Sequence, residues 1–333
     1  MGEFLQDIKN AVKNKGGRLA YPESTEPRIL QAINQVLKDG LVSELFVFSP
    51  QKEWLAAAKS LGLGELGRPH PRLVFVPEGY PIDRQDLLLF LRGVMKDKPM
   101  SEQALAEMAD SALYQAGFLL HKGVVDGVLA GAITETAHVI RTALRTVGKA
   151  PGIQTISGSF LMERGDEVYL FADCGVNIEP SLDELVDIAL ESKKTWEAIP
   201  FLKKRPMGMA FLSFSTKGSA KHKSCTKMAE AARMVHERDA SLSVDGELQF
   251  DAAIDLEIGR RKAPGSSVAG RANIFIFPDL NAGNIAYKIT QRLGGFSAYG
   301  PILQGLARPY CDLSRGASVR DIVVASYISL LRA

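Results

Sequence analysis

The sequence is poor in cysteine and has no long apolar run. Only three of its 333 residues are cysteine, and Cys174, Cys225 and Cys311 are too widely spaced for a zinc motif such as Cys-x-x-Cys. A small, odd number of cysteines is typical of free thiols in a reducing compartment. No apolar stretch approaches the roughly 18 residues that a membrane span requires. We therefore expect a cytoplasmic protein without disulfides, a zinc site or a membrane partner.

The sequence also lacks an excess of charge of either sign. It has 40 Lys and Arg against 38 Asp and Glu, a formal net charge of +2. A general nucleic-acid binder carries a clear basic excess, so nucleic acid is not expected as a partner. Any anionic ligand must instead be held by a local cluster of Arg and Lys. The apolar fraction of 46% is that of an ordinary packed globular protein.

The N-terminal residues 1–15 combine charged side chains with a helical apolar pattern, which consists of Phe4, Leu5, Ile8, Ala11 and Val12. A signal peptide needs a continuous apolar stretch, and Glu3 and Asp7 interrupt this one. The pattern predicts a first surface helix. A targeting or docking helix remains the alternative.

Short apolar runs alternate with longer helical patterns along the chain. Leu45–Ser49 and Asn273–Phe277 are nearly continuous in apolar residues, as strands buried on both faces are. This alternation predicts an α/β fold with mostly parallel sheets covered by helices. Pro151-Gly152 breaks a helix, and a second crossing is expected near Gly300-Pro301. The predicted domains are therefore 1–150 plus 302–333, and 151–301.

The segment from residue 300 to residue 321 runs from an apolar strand through a Gly- and Pro-rich loop into a helix. In open α/β sheets, ligands bind at such strand-to-helix turns. The loop offers the hydroxyl of Ser314, the guanidinium of Arg315 and a helix N-terminus, which together suit a phosphate or an oxyanion. However, Ser318-x-x-Asp321 is also a capping-box pattern, in which Asp321 only caps the helix. The local pattern leaves both interpretations open.

Two more turns and a basic face are candidate anion sites. Arg141, Arg145 and Lys149 are spaced by four, which predicts one helix face directed at an anion, although a solvated basic face fits equally. The small-residue turn Gly131–Thr136 precedes that helix and could admit a phosphate close to its backbone. The turn Ser213–Ala220 resembles a phosphate turn in composition but lacks the Walker A ending.

An acidic stretch contains Asp245, Glu247, Asp251 and Asp255. Asp251 and Asp255 are four residues apart, so both could point one way from a helix and share a divalent cation. Exposed carboxylates, or partners for Arg260 and Arg261, explain the same residues. The five histidines form no pair at metal-ligand spacing, so none is assigned a role.

Together, several long segments in the right order make the chain resemble the phosphate acetyltransferase family from about residue 17 to its end. The matching segments are Phe171–Cys174, Ser213–Thr216, Gly218–Ala220, Val244–Ala253, Phe277–Leu280, Gly283–Lys288 and Asp312–Gly316. The resemblance implies a two-domain α/β fold like that of the isocitrate and isopropylmalate dehydrogenases. It also implies a homodimer with its active site in the cleft between the domains.

The resemblance further implies catalytic roles. Asp321 matches the family's proposed base, which takes the proton from the thiol of coenzyme A. Ser314 matches the residue thought to steady the tetrahedral intermediate. Arg315 and Arg141 match the arginines that hold the acyl phosphate and coenzyme A. No metal or redox cofactor is expected, because coenzyme A is a substrate that exchanges its acetyl group with inorganic phosphate.

Other substrate contacts are expected at Thr136, Ser213, Tyr287 and Lys288. The sequence departs from the family pattern at Met95, where an Arg is common. Arg92 lies three residues earlier, on the same face of a predicted helix, and is the candidate substitute. Relatives also often have Cys where this chain has Ala317, so a thiol there is not part of the expected mechanism.

Three alternatives remain open. A propanoyl or butanoyl group could replace the acetyl group, because pocket volume decides acyl-chain preference. The implied fold also permits a metal-dependent decarboxylating dehydrogenase, with Asp251 and Asp255 on the metal. A two-lobed anion-binding protein is the third alternative, but such proteins are normally secreted and carry a signal peptide.

Overall fold

Alternating apolar strands and amphipathic helices form the fold. The computed structural model describes residues 2–63, 66, 68, 70–98 and 100–333. The strands in this part of the chain are β1 (Arg18–Tyr21), β2 (Glu44–Val47), β3 (Leu73–Phe75), β4 (Gly127–Ala130), β5 (Ser157–Arg164), β6 (Glu167–Ala172), β7 (Met209–Leu212), β8 (Val244–Leu248), β9 (Ile274–Ile276), β10 (Ser297–Gln304) and β11 (Tyr310–Asp312).

Helices connect most of these strands. They are α1 (Glu3–Lys15), α2 (Pro27–Asp39), α3 (Gln51–Ser60), α4 (Arg84–Val94), α5 (Glu102–Asp110), α6 (Ala112–His121), α7 (Thr136–Thr146), α8 (Leu182–Ala198), α9 (Pro200–Lys203), α10 (Lys223–Arg238), α11 (Phe250–Ile254), α12 (Leu256–Lys262), α13 (Leu280–Arg292) and α14 (Val319–Arg332). No helix in the described residues is long and apolar enough to cross a membrane.

The chain divides into two compact units. The first unit contains Leu5–Ala150 and Leu306–Ala333. Its five strands form a sheet in the order β11-β4-β1-β2-β3, and every pair in it is parallel. All residues of β4 and β11 are buried, as expected for strands covered on both faces. Because the strands are parallel, the loops that follow β1, β4 and β11 leave the sheet at one edge.

The second unit contains residues 2–4 and Pro151–Gly305. Its six strands have the order β10-β5-β6-β9-β7-β8. The β10–β5 and β5–β6 pairs are antiparallel, and the other three pairs are parallel. Phe160, Phe171 and Phe275 are buried in its core. The predicted α/β fold with mostly parallel sheets is confirmed.

Several predicted boundaries are wrong. Strand β11 was not predicted, because its three residues follow Pro309 in a loop-like stretch. The continuous helical pattern from Met100 to His121 indicates one helix, but these residues form two, α5 and α6, since Ser111 between them has an extended backbone. The predicted first helix is present as α1, although Met1 lies outside the described residues.

Candidate active site

The loop between β11 and α14 exposes Ser314 and Arg315. The Ser314 carbonyl accepts a hydrogen bond from the Ala317 N–H at 2.8 Å, which closes a tight turn. The Ser314 hydroxyl oxygen accepts the Gly316 N–H at 3.2 Å. A serine hydroxyl has one proton to donate, and this bond leaves that proton for another acceptor. The loop therefore presents a hydroxyl donor next to a guanidinium, which both suit an anionic ligand.

Asp321 caps helix α14, so the capping-box prediction is confirmed. The Ser318 N–H donates to Asp321 Oδ2 at 2.8 Å, and the Asp321 N–H donates to Ser318 Oγ at 3.2 Å. The carboxylate lies in the first helical turn, where the helix dipole favours a negative charge. The cap uses Oδ2 of Asp321, and Oδ1 takes no part in it.

The turn after β4 is closed by a carboxylate of the protein itself. Glu23 is buried and follows β1. Its Oε2 accepts the N–H groups of Gly131 and Ala132 at 2.9 and 2.7 Å, and its Oε1 accepts those of Ile133 and Thr134 at 3.3 and 2.8 Å. The hypothesis that this turn admits a phosphate at its backbone is therefore wrong, because Glu23 already occupies these donors. The sequence carries no signal for this partner, which is 108 residues from Gly131.

Arg28 joins the turn after β4 to the Ser314–Arg315 loop. Its Nη1 donates to the carbonyl oxygens of Arg315 and Ala317 at 2.7 and 3.1 Å, and its Nη2 donates to that of Ala132 at 2.9 Å. Its Nε donates to Glu26 Oε1 at 2.7 Å. The guanidinium thus uses Nε and both Nη atoms at once. Sequence reasoning missed this residue, which reads as an ordinary charge in the first turn of α2.

Asp312, the last residue of β11, is completely buried. Neither of its carboxylate oxygens has a hydrogen-bond partner in the described residues. Burial raises the pKa of Asp312 to about 7 and is the main cause of the shift. The hydroxyl of Thr136 lowers this pKa without reaching hydrogen-bond geometry, and the nearby charge of Glu23 raises it further. Sequence reasoning named this residue only as part of a family motif.

Cys311, which adjoins the loop in sequence, is buried beside Asp312. Burial raises the pKa of its thiol to about 12. Since only the thiolate is a nucleophile, Cys311 is unsuited to covalent catalysis at neutral pH.

The three cations predicted on one helix face do not all lie on that helix. Helix α7 begins at Thr136 and ends at Thr146, so Lys149 lies outside it, in an isolated bridge with Leu306. Arg145 Nη1 donates to the hydroxyl of Tyr114 at 2.8 Å. Arg141 and Thr136 are exposed. The prediction that all three cations share one helix face is therefore wrong, and Arg141 stays the predicted substrate contact on this helix.

Arg92 and Met95 occupy different environments in the first unit. Arg92 is exposed on α4, and its Nη2 pairs with Glu102 Oε2 at 2.6 Å. Met95 follows the end of α4 and is only 7% exposed. The side chain of Arg92 is thus engaged by a carboxylate. Its expected role toward substrate stays a prediction.

In the second unit, a carboxylate of the protein itself also occupies the turn after β7. Ser215 is fully buried, and its hydroxyl donates to Glu247 Oε1 at 2.9 Å; the Gly218 N–H donates to the same oxygen at 2.8 Å. Ser213 is half-buried, and its hydroxyl oxygen accepts the Ser215 N–H at 3.3 Å. The interpretation of this turn as a phosphate turn is wrong, because Glu247 takes the place of the anion.

Tyr287 and Lys288 lie on α13 of the second unit. The Tyr287 ring stacks on Phe160 with 4.0 Å between ring centroids and an interplanar angle of 13°. Burial raises the pKa of the Tyr287 hydroxyl. Lys288 is exposed, with its ammonium 5.7 Å from the centre of the Tyr287 ring. Packing therefore fixes Tyr287, whereas the charge of Lys288 is open to solvent.

The acidic residues of the second unit are separately paired. Asp251 Oδ2 pairs with Lys262 at 2.7 Å, rather than with Arg260 or Arg261. Helix α11 ends before Asp255, which instead caps α12 by accepting the Ile258 N–H at 2.9 Å. A shared cation between Asp251 and Asp255 is therefore not supported. Nor does any group of three or more His, Cys, Asp or Glu in the described residues have the arrangement of a metal site.

Comparison with known proteins identifies the family of the chain. The family model described as Phosphate acetyl/butaryl transferase matches residues 3–330. The phosphate acetyltransferase of Bacillus subtilis is 38% identical, with both chains covered completely, and that of Paracoccus denitrificans is 40% identical, with 98% of each chain covered. A solved phosphotransacetylase from Streptococcus pyogenes superimposes with a TM-score of 0.87 at 36% identity and covers 98% of both chains. The chain therefore belongs to the phosphate acetyl/butaryl transferase family.

Proposed function

We propose that the protein transfers an acetyl group reversibly between acetyl phosphate and coenzyme A. The observation that carries the proposal is the exposed Ser314–Arg315 pair on a loop that leads directly to the Asp321 carboxylate. Full-length relatives named phosphate acetyltransferase support the acetyl group as the acyl group. The substrates would be acetyl-CoA and inorganic phosphate in one direction, and acetyl phosphate and coenzyme A in the other.

The proposed chemistry is direct attack in a ternary complex. Asp321 takes the proton from the thiol of coenzyme A, whose pKa of about 8.5 would otherwise keep it mostly protonated. The thiolate attacks the acetyl carbonyl carbon, and a C–S bond forms. The Ser314 hydroxyl donates a hydrogen bond to the oxyanion that develops. The C–O bond to phosphate then breaks, and Arg315 holds the departing phosphate through its planar fork.

The remaining predicted residues would bind substrate. Arg141 would pair with a phosphate group of coenzyme A, and Thr136 lies at the start of the same helix. Ser213, Tyr287 and Lys288 are also proposed to contact substrate. Arg92 would need to leave Glu102 before it could contact an anion. No metal or redox cofactor enters any of these steps, so activity should survive a chelator.

We further propose a cytoplasmic homodimer with an architecture like that of the isocitrate and isopropylmalate dehydrogenases. All three cysteines are free and buried, which suits a reducing compartment. The dimer follows from the family resemblance, and sedimentation of the purified protein would test it.

The direct test is thiol consumption by the purified enzyme with coenzyme A and acetyl phosphate, in the presence of EDTA. Propanoyl and butanoyl phosphate serve as parallel substrates for acyl-chain preference. We expect the highest kcat/KM with acetyl phosphate. A nicotinamide requirement, or no turnover with any acyl phosphate, would refute the proposal.

Two substitutions test the assigned roles. Asp321→Asn removes the base and Arg315→Lys removes the fork, and each should reduce kcat by about 100-fold or more. Asn can still accept the Ser318 N–H, so loss of the helix cap does not explain a loss of turnover. Near wild-type turnover in either variant would contradict the role assigned to that residue.

A further inference from the structure

We propose that Arg28 is a positioning residue that holds the Ser314–Arg315 loop in the geometry that acetyl transfer requires. This inference rests on the proposed function, since it takes Ser314 and Arg315 as the groups that act on the acyl phosphate. Arg28 itself would act through the main chain of the loop and would not contact the substrate.

The first support is the number and placement of its contacts. Three main-chain carbonyls from two separate segments accept hydrogen bonds from Arg28, at Ala132, Arg315 and Ala317. Two of these carbonyls flank Gly316, so the guanidinium holds the part of the loop that carries the Arg315 side chain. The residues that Arg28 joins are 104 and 287 positions away in sequence. Local turn preference therefore cannot replace these bonds.

The second support is how Arg28 itself is held. Glu26 Oε1 accepts its Nε at 2.7 Å, while Glu26 Oε2 accepts the N–H groups of Arg28 and Ile29 at 2.8 and 3.0 Å. One carboxylate thus caps helix α2 and orients the guanidinium. A planar guanidinium has donors in a fixed fork, whereas a lysine ammonium is a single point charge on a flexible stem. Lysine could keep the charge but could not keep the same set of bonds.

Placement of this loop bears on the rate because Ser314 must meet the developing oxyanion while Arg315 holds the phosphate. A displacement of about 1 Å can cost roughly 100-fold in rate when a reacting group loses its alignment. Arg28 also contacts the turn after β4, which Glu23 closes with four hydrogen bonds. The loop is therefore tied, through one guanidinium, to a turn that is itself firmly held.

Arg18 provides a matched control in the same unit. Its side chain is 36% exposed, against 28% for Arg28, and it also bonds a carboxylate and a main-chain carbonyl, those of Asp126 and Gly123. Neither contact involves the Ser314–Arg315 loop. Arg18→Ala therefore removes a comparable structural arginine without altering that loop.

The experiment compares Arg28→Ala, Arg28→Lys and Arg18→Ala with the wild type. The first readout is steady-state kinetics with coenzyme A and acetyl phosphate, with and without added guanidinium chloride at low millimolar concentration. The second readout is amide hydrogen exchange of peptides that cover residues 313–318 and 131–135. It does not depend on activity.

We expect Arg28→Ala to reduce kcat by about 10- to 100-fold while KM for either substrate changes by less than about threefold. Exchange in residues 313–318 should increase, and guanidinium should restore part of kcat. Arg28→Lys should be intermediate, and Arg18→Ala should keep kcat and the loop exchange of the wild type. A partial kcat rescue by guanidinium identifies a missing side chain, which general instability would not produce.

Unchanged loop exchange in both Arg28 variants would overturn the inference, as would faster exchange with an unchanged kcat. Equal losses of kcat in Arg28→Ala and Arg18→Ala would also overturn it, since both would then reflect stability alone. If the wild type shows no acyl transfer, the proposed function fails. Loop exchange in Arg28→Lys still decides whether Arg28 orders the loop.

Discussion

The buried carboxyl group of Asp312 predicts a stability that falls as the pH rises. Its pKa is raised from 3.8 to about 7 in the folded protein, chiefly by burial. A raised pKa means that the folded state binds the proton more tightly than the unfolded chain does. The contribution to stability is therefore fully present below pH 3.8, is lost as the pH rises toward 7, and is absent above that.

The magnitude follows from the two pKa values. A shift from 3.8 to about 7 corresponds to about 4 kcal/mol in total, at 1.36 kcal/mol for each pH unit. Between pH 5 and pH 8 the wild type should lose about 3 kcal/mol of this contribution. Asp312→Asn replaces the carboxyl group with an uncharged group of the same shape, which does not titrate in this range.

The assay is equilibrium urea unfolding of the wild type and Asp312→Asn at pH 5 and pH 8, followed by circular dichroism. The free energy of unfolding of the variant relative to the wild type should increase by about 3 kcal/mol from pH 5 to pH 8. Other titrating groups are common to both proteins and cancel. The cost of burying an amide is the same at both pH values and cancels too.

Asp97→Asn, at an exposed position, is the control for the chemical change from carboxyl to amide. A difference between Asp312→Asn and the wild type that stays constant within about 0.5 kcal/mol would refute the reasoning. Asp312 would then ionise as easily in the folded protein as in the unfolded chain, and burial would not be the dominant influence on it.

Two further substitutions test the surroundings of the loop. Gly131→Ala should destabilise the protein by about 3 kcal/mol in urea unfolding, because the new Cβ would lie 2.4 Å from Asp312 Oδ1 and φ at this position is +103°. The control Gly148→Ala has φ +77° and open space around the new Cβ, so it should cost only about 1 kcal/mol. Equal costs for the two variants would show that the Asp312 contact does not matter. Arg141→Gln should raise KM for coenzyme A by about 10- to 100-fold, as expected for one lost charged hydrogen bond to phosphate, and a loss of kcat alone would contradict a binding role.

Features that depend on neighbouring residues could be predicted from the sequence. The alternation of strands and helices rests on local apolar patterns, and the Ser318–Asp321 cap rests on residues three apart. The contacts of Glu23 and Arg28 could not be predicted, because their partners are 108 and 287 residues away. No local pattern distinguishes such residues from ordinary surface charges.

The same limit explains why Lys149 was placed wrongly. A spacing of four indicates a shared face only while the helix continues, and α7 ends at Thr146. The family resemblance does not depend on local spacing, because it compares residues over the whole chain, and the predicted family is confirmed. Its assignment of the Ser314–Arg315 loop to the active site stays a prediction, since the local pattern also fits an ordinary capped turn.

The turns after β4 and β7, which could have bound an anion at their backbone, are already occupied by glutamate side chains. Glu23 in the first unit and Glu247 in the second occupy main-chain N–H groups that an incoming phosphate would otherwise use. A phosphate could enter either turn only by displacing a buried carboxylate, which would then lose its hydrogen bonds at a large cost in free energy. These two turns are therefore closed to a phosphate. The proposed function instead assigns the phosphate groups to the exposed side chains of Arg315 and Arg141, and the bonds of Arg28 to the main chain at Arg315 would give one of them a defined place.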